Sequence, residues 1–134
     1  VCNGWQSALI PNYYKNEYEG ISEFYKKIKT VLVVHDLDDY SKVDRSDLVK
    51  MGVEIDPKIK GNKLNIYDVA SYNADAILIM DRPGEKISSK LLKKAAFKDN
   101  QKKVTVFEQE DLDDIDFYAM TESLNQIVSD ITSK

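Results

Sequence analysis

The sequence predicts an α/β protein, a three-layer sandwich built on a mainly parallel, doubly wound sheet. Three observations carry this. Continuous apolar runs of strand length occur at 31–34 and within 74–81, as expected for strands covered on both faces, and "KKVTVFE" (102–108) reads as a third strand. Segments with apolar residues at helical spacing lie between and after them. The connections are short, which joins strand to helix to strand in crossover units.

In chain order, residues 1–29 come first and are set apart as an N-terminal extension or linker helix. "VCNGWQSALIPNYY" holds the sole Trp together with a Gly and a Pro, and reads as a looped lead-in. "NEYEGISEFYKKIK" places Tyr18, Ile21, Phe24, Tyr25 and Ile28 at helical spacing, with Asn16 positioned to cap it and Lys26, Lys27 and Lys29 at its end. The α/β domain proper is expected over 30–134. Val31 to Val34 forms its first strand. "YSKVDRSDLVKMG" is expected to be a helix that stops at Gly52, and "VEI" (53–55) a short second strand. "LNIYDVASYN" reads as a helix, "ADAILIMD" as the next buried strand, and "ISSKLLKKAAFKDN" as a helix. "KKVTVFE" is a further strand, "EQEDLDDID" (108–116) an acidic loop, and "YAMTESLNQIVSDI" carries helical spacing through Leu124, Ile127, Val128 and Ile131.

Composition narrows the function. The chain has 134 residues, 43% hydrophobic and 31% charged, enough for one domain with its own core. Net charge is −4 and the basic residues are dispersed, which argues against a nucleic-acid partner. No run has the length of a membrane span. Cys2 is the one cysteine, so no internal disulfide forms and a reducing cytoplasm is expected. A lipid anchor or export through Cys2 is the alternative, disfavoured because Val1 precedes it. No P-loop, nucleophile elbow or GxG fingerprint occurs.

Chemistry gathers at the ends of the strong strands, which finish in Asp36, Asp81 and Glu108. In an open parallel sheet, ligands bind beyond the carboxyl ends of the strands, near a switch in strand order. Carboxylates converging there repel, and a hard divalent cation such as Mg²⁺ would relieve the repulsion. Acidic residues that merely solubilise loops are the alternative. His35, the one histidine, adjoins Asp36, either as a proton-transfer pair or as a satisfied strand-end histidine.

"VLVVHDLDDYSKVDRSDLVKMGVEI" and "NADAILIMDRPG" resemble the first half of a response-regulator receiver domain. The match runs through the order of apolar strand, acidic residues, helix, Gly turn and second strand, and then a strand ending in Asp before Pro-Gly. The resemblance spans about 30–132. It implies a flavodoxin/CheY-like sheet, Asp81 as phospho-acceptor, Asp36 and Asp81 as ligands of Mg²⁺, and His35 and Glu108 as further residues of the crevice. The chain departs from that pattern at His35, where a first acidic residue belongs. It departs again at Glu108, where a hydroxyl is expected, and in "FYAMTES", which offers Met120 and Thr121 in place of a Lys-Pro pair. These changes move the edge's electrostatics against phosphate. The resulting expectation is a receiver-like signalling or protein-interaction domain with lost or weakened phosphorylation, partnered by another protein or by a neighbouring domain of a larger signalling protein. An active two-component receiver and a small nucleoside- or nucleotide-handling enzyme are the alternatives.

Overall fold

The computed structural model describes residues 1–110 and 116–133. Part of the expected acidic loop, residues 111–115, lies outside the described residues. The central sheet has four parallel strands in the order β1 (Cys2–Asn3), β2 (Val31–Val34), β5 (Ala76–Asp81) and β6 (Val104–Glu108). A separate antiparallel pair joins β3 (Lys42–Asp44) to β4 (Lys63–Asn65).

The apolar runs become β2 and β5 because each residue has a face to fill. Leu32, Val34, Ile77 and Ile79 point to one side of the sheet, where Ala8, Ile66, Tyr67, Ala70, Ile87, Leu91 and Phe97 complete a core. Val31, Val33, Ala76 and Leu78 point to the other and meet Ile127, flanked by Leu124 and Ile131. Period-two alternation between two buried layers gives a continuous apolar string in sequence. The α/β class and the mainly parallel sheet are as expected.

Helices supply the two outer layers. On the first face lie α4 (Ile66–Ser71), α5 (Ile87–Leu91) and α6 (Ala95–Asp99), with α1 (Ile10–Tyr13) packed against α4. On the second lies α7 (Phe117–Thr132). Short α2 (Glu23–Lys26) precedes β2, and α3 (Arg45–Lys50) ends at Gly52, whose φ of +79° suits a residue without a side chain. Asn65 caps α4 by accepting from the Tyr67 amide at 2.9 Å, and Asp116 caps α7 by accepting from the Ala119 amide at 3.0 Å. Among the described residues no helix is long and apolar enough to cross a membrane.

Several details differ from expectation: the helix expected over 40–52 begins only at Arg45, after strand β3, and the one expected over 87–100 is split into α5 and α6. Residues 53–55 are not a strand; Val53 instead tucks into a small core with Leu48, Leu64 and Val69. The place beside β2 is taken by β1, with Cys2 opposite Leu32 and Asn3 opposite Val33, while Ala8 is fully buried beneath the same sheet. "FYAMTES" is the first part of α7 rather than a fifth strand. A CheY-like sheet runs 2-1-3-4-5. The four strands here are added in chain order from one edge to the other, so the described sheet contains no reversal of strand order.

Candidate functional site

The carboxyl ends of β1 and β2 form one local unit. The Gly4 amide donates to the Val33 carbonyl at 3.0 Å, which extends the ladder by one residue before the chain turns into Trp5. Gly4 makes that turn at φ +74°. A side chain there would be strained, and a Cβ would stand 3.0 Å from His35 Nε2 and 3.0 Å from Gln6 Oε1. The glycine thus leaves room for the imidazole of the next strand tip. Trp5 is half-buried, its ring stacked on exposed Tyr40 with centroids 6.0 Å apart and planes 19° off parallel.

His35 Nδ1 lies 3.0 Å from Asp36 Oδ2, and Tyr67 donates its hydroxyl to Asp36 Oδ1 at 3.3 Å. Both carboxylate oxygens are therefore engaged. Side-chain exposure of 33% for His35 and 24% for Asp36 leaves the pair reachable from solvent. The Tyr67 phenol is held well above its ordinary pKa, first by burial, then by the charge of Asp36 and the hydrogen bond to it. It stays a neutral donor throughout the physiological range. With Nδ1 held by the carboxylate, Nε2 is the imidazole atom left for a ligand.

Asp81 sits differently. It is 2% exposed, and it accepts from the Ser88 amide at 2.8 Å through Oδ1 and from the Ser88 hydroxyl through Oδ2. Its carboxylate closes the Arg82–Glu85 turn onto the start of α5. Glu108 is its register partner on β6 and lies 3.7 Å from Lys86, both side chains exposed. Asp81, Glu108, Lys86 and the Pro83-Gly84 turn line a cavity of about 170 Å³, and neither His35 nor Asp36 is among its lining residues. The strand-tip carboxylates are thus divided into two places, Asp81 with Glu108 and Asp36 with His35. Among the described residues, no three of His, Cys, Asp or Glu are grouped so as to hold a metal ion.

Sequence reasoning did not single out Gly4, Trp5, Tyr40 or Tyr67 as site residues. The available signal was the lone Trp directly after a Gly, but a two-residue strand is too short to register as periodicity. Cys2, considered above as an anchor, is buried in β1 at 5% exposure, where burial raises its thiol pKa.

Residues 1–83 match the family described as the starch synthase catalytic domain. The chain is 33% identical over 81 residues to a glycogen synthase of Lachnospira eligens and 34% identical over 82 residues to one of Clostridium perfringens. Each alignment covers 60% of this chain and 17% of the relative, so the chain spans a small part of the curated proteins it matches. No solved structure matches it. The family match overturns the receiver resemblance, and with it the expected signalling function, the two-component setting and the basis for Asp81 as phospho-acceptor with Mg²⁺. An apolar parallel strand ending in an acidic residue is common to many α/β sheets, and that shared pattern produced the resemblance. Of the expectations stated above, the enzyme alternative is nearer to the family match than the signalling reading, though not as the nucleoside- or nucleotide-handling enzyme expected. With more than half of its length matched, the chain belongs to the starch synthase catalytic domain family.

Proposed function

We propose that this chain forms part of the catalytic domain of a glycosyltransferase of the glycogen or starch synthase type, and that the edge made by Trp5, His35 and Asp36 contacts the glucosyl unit being transferred. The observation that carries this reading is the coincidence of family and geometry. The matched segment, residues 1–83, contains the whole of the His35–Asp36–Tyr67 and Trp5–Tyr40 arrangement.

The residue types suit a sugar. Flat aromatic faces such as the Trp5–Tyr40 stack accept the apolar C–H side of a pyranose, while imidazole and carboxylate groups meet its hydroxyls. In the transfer, the bond from the glucosyl anomeric carbon to the donor's phosphate oxygen breaks and the phosphate keeps the electron pair. A glucan hydroxyl oxygen forms the new bond to that carbon, and its proton passes to the departing phosphate. In this reading His35 Nε2, with Nδ1 engaged by Asp36, hydrogen-bonds this glucosyl unit and orients it for the transfer. Asp81 has no part in the step.

The test is incorporation of labelled glucose into glycogen from glucose esterified to a nucleoside diphosphate, catalysed by the polypeptide that carries this chain. Incorporation that falls at least about tenfold in His35→Ala and Trp5→Ala supports the reading. Absence of incorporation, or rates unchanged in both variants, removes it.

A further inference from the structure

The molecule has one histidine, and the nitrogen that carries its proton decides what this edge can recognise. In water a neutral imidazole favours the proton on Nε2. Here Nδ1 stands 3.0 Å from Asp36 Oδ2, and a carboxylate only accepts hydrogen bonds. The carboxylate therefore draws the proton to Nδ1 and leaves a lone pair on Nε2.

Asp36 alone is a poor anchor for this. Its side chain is 24% exposed, and the terminal torsion of an aspartate has no sharp preference. Tyr67 supplies what is missing. It is fully buried, in the core with Leu32 and Val34, and it donates to the other carboxylate oxygen, Oδ1, at 3.3 Å. The helix that carries it is pinned in turn. Lys94 Nζ lies 2.8 Å from Asp68 Oδ2, and Lys103 Nζ donates to the Ser71 and Tyr72 carbonyls at 3.2 and 3.4 Å. A hydroxyl on so fixed a ring sets the direction of the carboxylate, and the carboxylate sets the imidazole. Burial keeps the phenol protonated, so that hydroxyl remains a donor.

We propose that Tyr67 is a positioning residue for His35: through Asp36 it holds the neutral ring as the Nδ1–H tautomer, leaving Nε2 as an acceptor for a ligand hydroxyl. That the hydroxyl belongs to a glucosyl unit rests on the glycosyltransferase reading above. The tautomer and its dependence on Tyr67 do not.

¹⁵N NMR of the purified, labelled chain tests this, without ligand and at a pH where the ring is neutral, because one histidine gives the only imidazole signals. The expected result is a protonated Nδ1 and an unprotonated Nε2. Tyr67→Phe keeps an aromatic ring in the core, and should shift the ratio of tautomers at least about threefold toward Nε2–H. Asp36→Ala should shift it further. Tyr72→Phe is the control: it removes a phenol at the end of the same helix that bonds Asp99 instead, and should leave the ratio unchanged. Circular dichroism confirms that each variant stays folded, and the wild-type spectrum decides the tautomer whatever the fate of the variants. A wild-type ring protonated on Nε2 overturns the proposal, and so does a ratio that Tyr67→Phe leaves unaltered. An equal shift in Tyr72→Phe overturns it too, since the cause would then be helix packing. The glucosyl reading fails separately, by absence of incorporation, and that result leaves these ring signals as they are.

Discussion

The tips of β2 and β5 begin from the same sequence pattern, an apolar run closed by an aspartate, and end in opposite environments. At β2, Asp36 stays partly open, with His35 on one oxygen and Tyr67 on the other. At β5, Asp81 is buried and both its oxygens go to Ser88, seven residues on. The difference lies in the path the chain takes on leaving each strand. After Asp81 the Pro83-Gly84 turn sends the chain straight back, so that an amide and a hydroxyl reach the carboxylate. After Asp36 the chain leads away through Asp38 to Tyr40, and the carboxylate's partners come from its neighbour His35 and from α4. One aspartate organises a turn, and the other stays partly open beside His35 and Tyr67. A strand-end carboxylate therefore acquires a role from the chain that returns to it, not from the strand that presents it.

Substitutions should separate the two tips. The largest loss is expected for Asp81→Ala, about 2–4 kcal/mol of stability, since it removes two charge-assisted hydrogen bonds and leaves the Ser88 groups without their acceptor; thermal or urea unfolding measures it. An unchanged midpoint would mean that Asp81 is not a staple. Gly4→Ala comes next, at about 1–2 kcal/mol, because the left-handed backbone disfavours a side chain and the new Cβ crowds the imidazole. It also carries a site signature, a displaced His35 ring resonance, that Asp81→Ala should lack. Tyr67→Phe should cost about 0.5–1.5 kcal/mol at neutral pH. Its pH dependence is more diagnostic. The folded phenol titrates above its ordinary value of 10.0, and Tyr72, through burial and its bond to Asp99, is pushed up to about 12. A raised phenol pKa means that the fold favours the neutral form. The stabilisation is complete below about pH 10 and is lost as pH climbs through the folded values. Tyr67→Phe should flatten this alkaline decline, measured as the unfolding midpoint against pH. The smallest stability effect, below about 1 kcal/mol, is expected for His35→Ala at its partly exposed position. Its effect should fall on ligand affinity instead.

Much of the scaffold was legible in the residues. The strings 31–34 and 76–80 had to be strands covered on two sides, and the stripe Leu124, Ile127, Ile131 had to be a helix facing them. The two-residue β1 was not legible, since periodicity needs more residues than it has. The β3–β4 pair was hidden because Lys42–Asp44 and Lys63–Asn65 each run directly into a helix and read as its first turn. "VEI" has strand-forming residues, but it lacks a neighbour to pair with, and Val53 is consumed by a side core. At the site, His35 and Asp36 were visible as a chemical pair. Trp5 and Gly4 lie some thirty positions away and join them only through parallel pairing of β1 with β2, a long-range event that local sequence does not encode.

Trp5 is the sole tryptophan of the chain, and it stands at the proposed glucosyl contact. Its fluorescence, recorded while glucose esterified to a nucleoside diphosphate or a short maltooligosaccharide is added, therefore reports on that edge directly. A saturable change in Trp5 emission is expected with at least one of these ligands, weakened in His35→Ala and preserved in Ser88→Ala. Unaltered emission with both ligands, or a response that His35→Ala leaves intact, would rule out the Trp5–His35 edge as the glucosyl contact.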